Sequence, residues 1–240
     1  MKAVILAAGV GRRLSPLTDR VLKCLLPVGG RPLLERMLEA AQAAGISEAL
    51  VVVGHRQEQI RTRIGPRFGS LTVRYAENPH YTKGSLLSLW HVREALQGDL
   101  VVMDADVLFA PELLKRLVNS SLPSALLLDR NFVETGEEVK LYAHGARVVA
   151  LGKRITPPPY DVVGEGVGFF KCGAIHAPAL QACLEEVRRE AGDGIEYEDA
   201  LDRLVRRAEV GWVDVAGLPW IEIDFAEDLK RAEQEILSKI

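Results

Sequence analysis

Leu6-Ala7-Ala8-Gly9-Val10-Gly11-Arg12-Arg13-Leu14-Ser15-Pro16-Leu17-Thr18, with Lys23 close behind, is the stretch from which the rest of the chain is read. An apolar, β-branched run over Lys2–Ala7 predicts a buried strand that empties into a loop of small residues. Gly9 and Gly11 let the backbone take a positive φ and bring N–H groups close to a ligand. Successive N–H groups make a concave anion site. Arg13 and Lys23 add the charge such a loop lacks for holding a triphosphate. The pattern is not a dinucleotide-binding fingerprint, which needs a third glycine where Leu14 stands.

Outward from this loop, strands and helices alternate. Helical spacing over 32–44 ends at Gly45, and strands are predicted over 49–53, 71–75 and 99–103. Helices are predicted over Gln57–Ile64, 85–96 and 111–118, the last with proline in its first turn. This rhythm implies a mostly parallel sheet covered on both faces. Beyond residue 123 it loosens. Strands are expected over 125–128, 139–143, 147–151 and 166–171, the middle two as a hairpin around His144-Gly145. Helices follow over 176–189 and 196–206, then strands over 211–215 and 220–223 and a helix over 226–237. No repeat appears, so the expectation is one domain over 1–240, divided near residue 122.

A net charge of −3 offers no general attraction for nucleic acid or an anionic membrane, so an anionic ligand must be held by local cations. No run reaches the ~20 apolar residues of a membrane span. The N-terminal apolar run is too short for a signal peptide and is followed by Arg12-Arg13. Cys24, Cys172 and Cys183 are scattered without metal-ligand spacing, which argues against zinc or a disulfide framework and fits a reducing cytoplasm.

Two acidic segments complete the pattern. In Val101-Val102-Met103-Asp104-Ala105-Asp106, two carboxylates stand just past a buried strand, at the sheet edge where open α/β folds bind ligands. That pair suits Mg²⁺ beside a triphosphate, with a strand-end turn and Asx capping as the lesser alternative. In Trp220-Ile221-Glu222-Ile223-Asp224-Phe225-Ala226-Glu227-Asp228, Asp224 is a second acidic candidate. It could instead cap the last helix, with Glu227 three residues on as capping-box partner.

Together these segments resemble the nucleotidyltransferase superfamily of sugar-phosphate nucleotidyltransferases and phosphocholine-type cytidylyltransferases. The match continues through Leu25-Leu26-Pro27-Val28-Gly29-Gly30-Arg31-Pro32-Leu33-Leu34. It departs at Leu22, where that family has proline before the lysine. The resemblance implies a Rossmann-like three-layer α/β/α fold with a mixed, mostly parallel central sheet and a small hairpin-containing subregion on the acceptor side. It implies a nucleotide site of Leu6, Ala7, Ala8, Gly9, Gly11, Arg12, Arg13 and Lys23, with Gly9, Gly11 and Arg13 around the β- and γ-phosphates and Lys23 at the α-phosphate. Gly84 and Ser85, or Ser88, fall in the base-reading segment, and Asp104 is an auxiliary aspartate. Asp106 and Asp224 are the implied Mg²⁺ ligands. Arg13, Lys23, Asp106 and Lys153 form the catalytic set.

For the acceptor, Lys153 in Leu151-Gly152-Lys153 resembles the lysine that holds a phosphate. Gly164-Glu165-Gly166-Val167-Gly168 and Tyr197-Glu198-Asp199-Ala200-Leu201 resemble cytidylyltransferase segments that put Glu165 and Glu198 at the acceptor's hydroxyl or cationic group. The carboxylates of the second segment also fit a plain solvated helix face. Lys83-Gly84 replaces the Asn-Asn of phosphocholine-type enzymes, which argues against choline itself. The expectation is transfer of CMP from CTP to a small phospho-alcohol, phosphonate or polyol phosphate, in a protein that could form a homodimer. A sugar-1-phosphate enzyme using UTP, GTP or dTTP and a non-catalytic nucleotide-binding module are the alternatives. The full set of Arg13, Lys23, Asp106, Asp224 and Lys153 argues against the module, since binding alone needs no metal pair.

Overall fold

The computed structural model describes residues 1–192 and 194–240. Its strands are β1 (Lys2–Ala7), β2 (Pro27–Val28), β3 (Arg31–Pro32), β4 (Glu48–Val53), β5 (Arg67–Phe68), β6 (Leu71–Glu77), β7 (Leu100–Asp104), β8 (Val107–Phe109), β9 (Ala125–Asp129), β10 (Lys140–His144), β11 (Arg147–Gly152), β12 (Val162–Cys172), β13 (Gly211–Asp214) and β14 (Trp220–Glu222). Its helices are α1 (Leu33–Ala43), α2 (Gln57–Ile64), α3 (Leu86–His91), α4 (Pro111–Asn119), α5 (Ala177–Glu190), α6 (Glu198–Arg207) and α7 (Ala226–Arg231).

The main sheet runs β10-β11-β13-β9-β12-β7-β1-β4-β6-β5. Its central strands β7, β1, β4 and β6 are parallel. The long strand β12 pairs antiparallel with both β7 and β9, which carries the sheet without a break from the first half of the chain into the second. Because side chains alternate along a strand, β1 feeds two cores. Ala3, Ile5 and Ala7 face a layer with Met37, Leu38 and Leu113 of α1 and α4, while Val4 faces Leu89, Leu184 and Leu201 of α3, α5 and α6. Fully burying a side chain of this size stabilises the fold by about 1.5–3 kcal/mol. The result is the three-layer α/β/α arrangement with a mixed sheet.

A third, smaller core builds the site. Leu14 and Leu26 from the glycine-rich segment, Val28, Leu108 of β8, and Ile221 and Ile223 pack together. The sequence pattern offered β14 but not its partner β8. The two pair antiparallel, Glu222 opposite Val107, and Ile223 N–H donates to the Asp106 carbonyl at 3.0 Å. This small sheet carries residues more than a hundred positions apart to one sheet edge.

Two expected helices are interrupted. The pattern over 85–96 is α3 followed by a separate 3₁₀ turn at Arg93–Ala95, and the one over 226–237 gives way after α7 to a wider π turn at Ala232–Ile236. Gly84, at φ 94°, lies where a Cβ would stand 2.2 Å from the Ile195 carbonyl oxygen. Only glycine lets the loop before α3 press so closely on the segment leading into α6.

Candidate active site

Above the carboxyl ends of β1 and β7 lies a cleft of about 500 Å³. Every sequence-nominated position from Leu6 to Glu198 lines it, as does Asp224. One wall is the loop after β1. Gly11 takes a left-handed φ of 69°, and Thr18 Oγ donates to its carbonyl at 2.8 Å, which fixes the turn. The N–H groups of Gly9, Val10, Gly11 and Arg12 donate to no acceptor among the described residues. Successive N–H groups left without acceptors beside a cleft are available as the donor half of an anion site.

Facing the loop is an acidic cluster. Carboxylate oxygens of Asp106, Glu222 and Asp224 lie within 4.8 Å of one another. Lys23 sits among them, its Nζ 2.6 Å from Asp106 Oδ2 and 2.5 Å from Asp224 Oδ1. Arg13 Nη2 reaches the other oxygen of Asp224 at 3.0 Å, and its guanidinium lies 5.2 Å from the Phe225 ring centroid. Burial alone would lower the pKa of Lys23, but the attraction and hydrogen bonds of the two aspartates override it and raise the value above its ordinary range. Glu222 opens onto the cleft. The protein crowded around that recess, and then the charges of Asp106 and Asp224, push its pKa up to about 8.

These residues fit a hard divalent cation. The donors are all carboxylate oxygens, Asp106 Oδ1 is buried with no partner, and a cation, the Lys23 ammonium, already stands among them. Asp224 does not cap the last helix. Asp228 does that, accepting from the N–H groups of Asp224 at 3.0 Å and Phe225 at 2.7 Å, and leaves the Asp224 side chain to the cluster. Glu227 is not the capping partner.

Other nominated residues have structural partners. Asp104 stands apart from the acidic cluster, and its Oδ2 accepts from the Tyr197 hydroxyl at 2.7 Å. Burial first, then the charges of Asp106 and Glu198, raise the Asp104 pKa well above the carboxylate range. Ser85 Oγ accepts from the Tyr197 N–H at 2.9 Å, and Ser88 Oγ accepts from Asn78 in the buried core. Tyr197 thereby ties α6 to both β7 and the start of α3.

Lys153 also lines the cleft, is exposed and forms no ion pair among the described residues. Its charge lowers the pKa values of Glu198 and Glu222. Glu198 Oε2 is buried and unpartnered, and burial with the charge of Glu196 pushes its pKa up to about 7 despite Lys153. Burial, then the charges of Glu138 and Asp129, likewise lift half-buried Glu165 to about 7. Glu138 is instead structural. Although burial acts against it, hydrogen bonds from the Thr135 hydroxyl, Thr135 N–H and Gly136 N–H pull its pKa down to about 2.

A carboxyl whose folded pKa lies above its ordinary 4.5 holds its proton more tightly in the fold than in the unfolded chain. Its cost to stability is absent at low pH, grows as pH rises from about 4.5, and is complete above about 7. Thermal melts of the ligand-free protein between pH 5.5 and 8.5 should therefore show the melting temperature falling as pH rises. Glu165→Gln should flatten that slope. A slope of opposite sign would contradict the electrostatic description of Glu165 and Glu198.

This fold and site belong to a nucleotidyltransferase family. The chain is a member of the MobA-like NTP transferase domain family, whose model matches residues 3–155. It is 34% identical to a bifunctional IPC transferase and DIPP synthase of Rubrobacter xylanophilus, across 98% of this chain and 52% of that protein. It is 30% identical to a CMP-5'-(3-aminopropyl)phosphonate synthase of Streptomyces rubellomurinus, across 97% of this chain and 38% of that protein. The chain thus spans about half, or less, of the length of these relatives. Its fold matches the structure of CTP:phosphocholine cytidylyltransferase from Streptococcus pneumoniae with a TM-score of 0.81 at 23% identity, over 97% of both chains. No helix among the described residues is long and apolar enough to cross a membrane.

Proposed function

We propose that this cleft transfers a nucleoside monophosphate from CTP to the phosphate or phosphonate oxygen of a small acceptor, with Mg²⁺ as cofactor and pyrophosphate as the other product. The observation that carries the reading is the meeting of a free N–H loop, two cations and three convergent carboxylates at one sheet edge. The 1–122 half would hold the nucleotide and the 123–240 half the acceptor. Named relatives whose acceptors are an aminopropylphosphonate, choline phosphate and phosphoglutamine support the acceptor class.

An ionised acceptor oxygen attacks the α-phosphorus in line, the bond to the α–β bridging oxygen breaks, and pyrophosphate leaves with that electron pair. The acceptor needs no general base, because its phosphate is already ionised at neutral pH. Protein work is therefore positioning and charge stabilisation. The loop N–H groups of residues 9–12 and Arg13 would hold the β- and γ-phosphates, and Lys23 would offset charge growing at the α-phosphate. Asp106, Asp224 and Glu222 would hold Mg²⁺, which supplies a Lewis acid for the phosphate oxygens. Lys153 would hold the acceptor phosphate, while Glu165 and Glu198 receive an ammonium or hydroxyl group.

The test is pyrophosphate release with Mg²⁺ from CTP, UTP, GTP, ATP and dTTP, each with phosphocholine, 2-aminoethylphosphonate, inositol-1-phosphate and hexose-1-phosphates. Release with CTP and a non-hexose acceptor is the expected result. Release only with another NTP and a hexose-1-phosphate would move the protein to the sugar-nucleotide class.

A further inference from the structure

In this conformation the cations that should meet the nucleotide are spent on the carboxylates that should meet the metal. Lys23, its side chain only 15% exposed, lies between Asp106 and Asp224, and Arg13 closes the second oxygen of Asp224. Two of the three carboxylates that a divalent ion would need are thus already paired with the protein's own cations, with Asp106 Oδ1 left without a partner. Displaced from them, the ammonium would face the glycine-rich loop, whose wall presents unpaired N–H groups and no acceptor that the ammonium uses. A buried ammonium stranded among donors is costly. A triphosphate in that loop changes the balance, because its oxygens give Lys23 and Arg13 new partners.

We infer that Lys23, assisted by Arg13, is a resident counter-ion that keeps divalent metal out of the empty site, and that nucleotide binding admits the metal by drawing both side chains off Asp106 and Asp224. The inference rests on the nucleotidyltransferase reading for the identity of the anion, but its geometry does not. The two binding events then favour each other, since whatever one ligand does for the other is returned by the same factor. The site fills with nucleotide and metal together, or nucleotide first. Without nucleotide, Asp106, Asp224 and Glu222 remain neutralised in part by the protein's own cations instead of gathering metal from solution. Arg13 is the weaker member of the pair, since its side chain is 50% exposed and, of the three clustered carboxylates, it pairs with Asp224 alone while also reaching Glu137 at 3.9 Å.

The test is Mn²⁺ binding without nucleotide, followed by electron paramagnetic resonance and competed with Mg²⁺. Lys23→Met should bind Mn²⁺ about tenfold or more tighter than the unaltered protein, within the usual span of such couplings. Adding Asp106→Asn to Lys23→Met should remove the gain. Should the Lys23 variant fail to fold, Arg13→Met removes a half-exposed cation and should give a smaller gain in the same direction. Mn²⁺ binding no tighter in either variant than in the unaltered protein overturns the proposal, and so does a gain that survives loss of Asp106. This readout uses no nucleotide, so it stands apart from the activity test. A chain that releases no pyrophosphate with any pair would refute the transferase reading and leave the counter-ion result to be judged by itself.

Discussion

Asp106→Ala lowers turnover in the proposed reaction by about 10²–10³, the scale of losing one charge-stabilising element of a transition state, here the cation that Asp106 would hold. The fold should survive, because Asp106 is only partly buried and one of its oxygens has no partner to lose. Its removal also relieves repulsion from Glu222 and Asp224, so the melting temperature should change little. Steady-state kinetics on the purified variant, paired with a melt, check both. Unchanged turnover would remove Asp106 from the catalytic set and with it the metal assignment.

Lys23→Ala should lose turnover by a similar factor, but for a different reason and with a structural cost. The side chain joins two chain segments, the turn between β7 and β8 that carries Asp106 and the stretch after β14 that carries Asp224. Without it, three carboxylates face one another in a recess where, among the described residues, Arg13 alone remains in an ion pair with one of them. The pair is neither exposed nor fully closed, so the loss of stability should fall between the surface and buried limits, about 1–3 kcal/mol. Chemical denaturation measures it. A Lys23 variant as stable and as active as the unaltered protein would show that the ion pairs are incidental.

Which residues the sequence discloses follows from how locally they act. The glycine-rich loop, Arg13 and Lys23 lie in one contiguous stretch, so their joint meaning can be read without knowing the fold. Asp106 and Asp224 are each legible as strand-end carboxylates, though nothing local shows that they share one lysine. Glu222 was missed, although a signal was present. It lies two residues before Asp224 in an alternating segment, and residues two apart on a strand point the same way. The roles of Asp104, Ser85 and Ser88 are not local. The first two depend on Tyr197, roughly a hundred residues away, and the third on the core amide of Asn78. The interrupted helices at 92 and 232 were hidden for a further reason. Apolar periodicity persists through 3₁₀ and π turns, so the pattern continues where the hydrogen bonding changes.

The most direct test of the account is ³¹P nuclear magnetic resonance of the products formed from CTP, Mg²⁺ and an acceptor such as 2-aminoethylphosphonate. The account predicts inorganic pyrophosphate together with a new phosphoanhydride that joins CMP to the acceptor's phosphorus. Orthophosphate with CDP, or CTP left intact with every acceptor supplied, would contradict it.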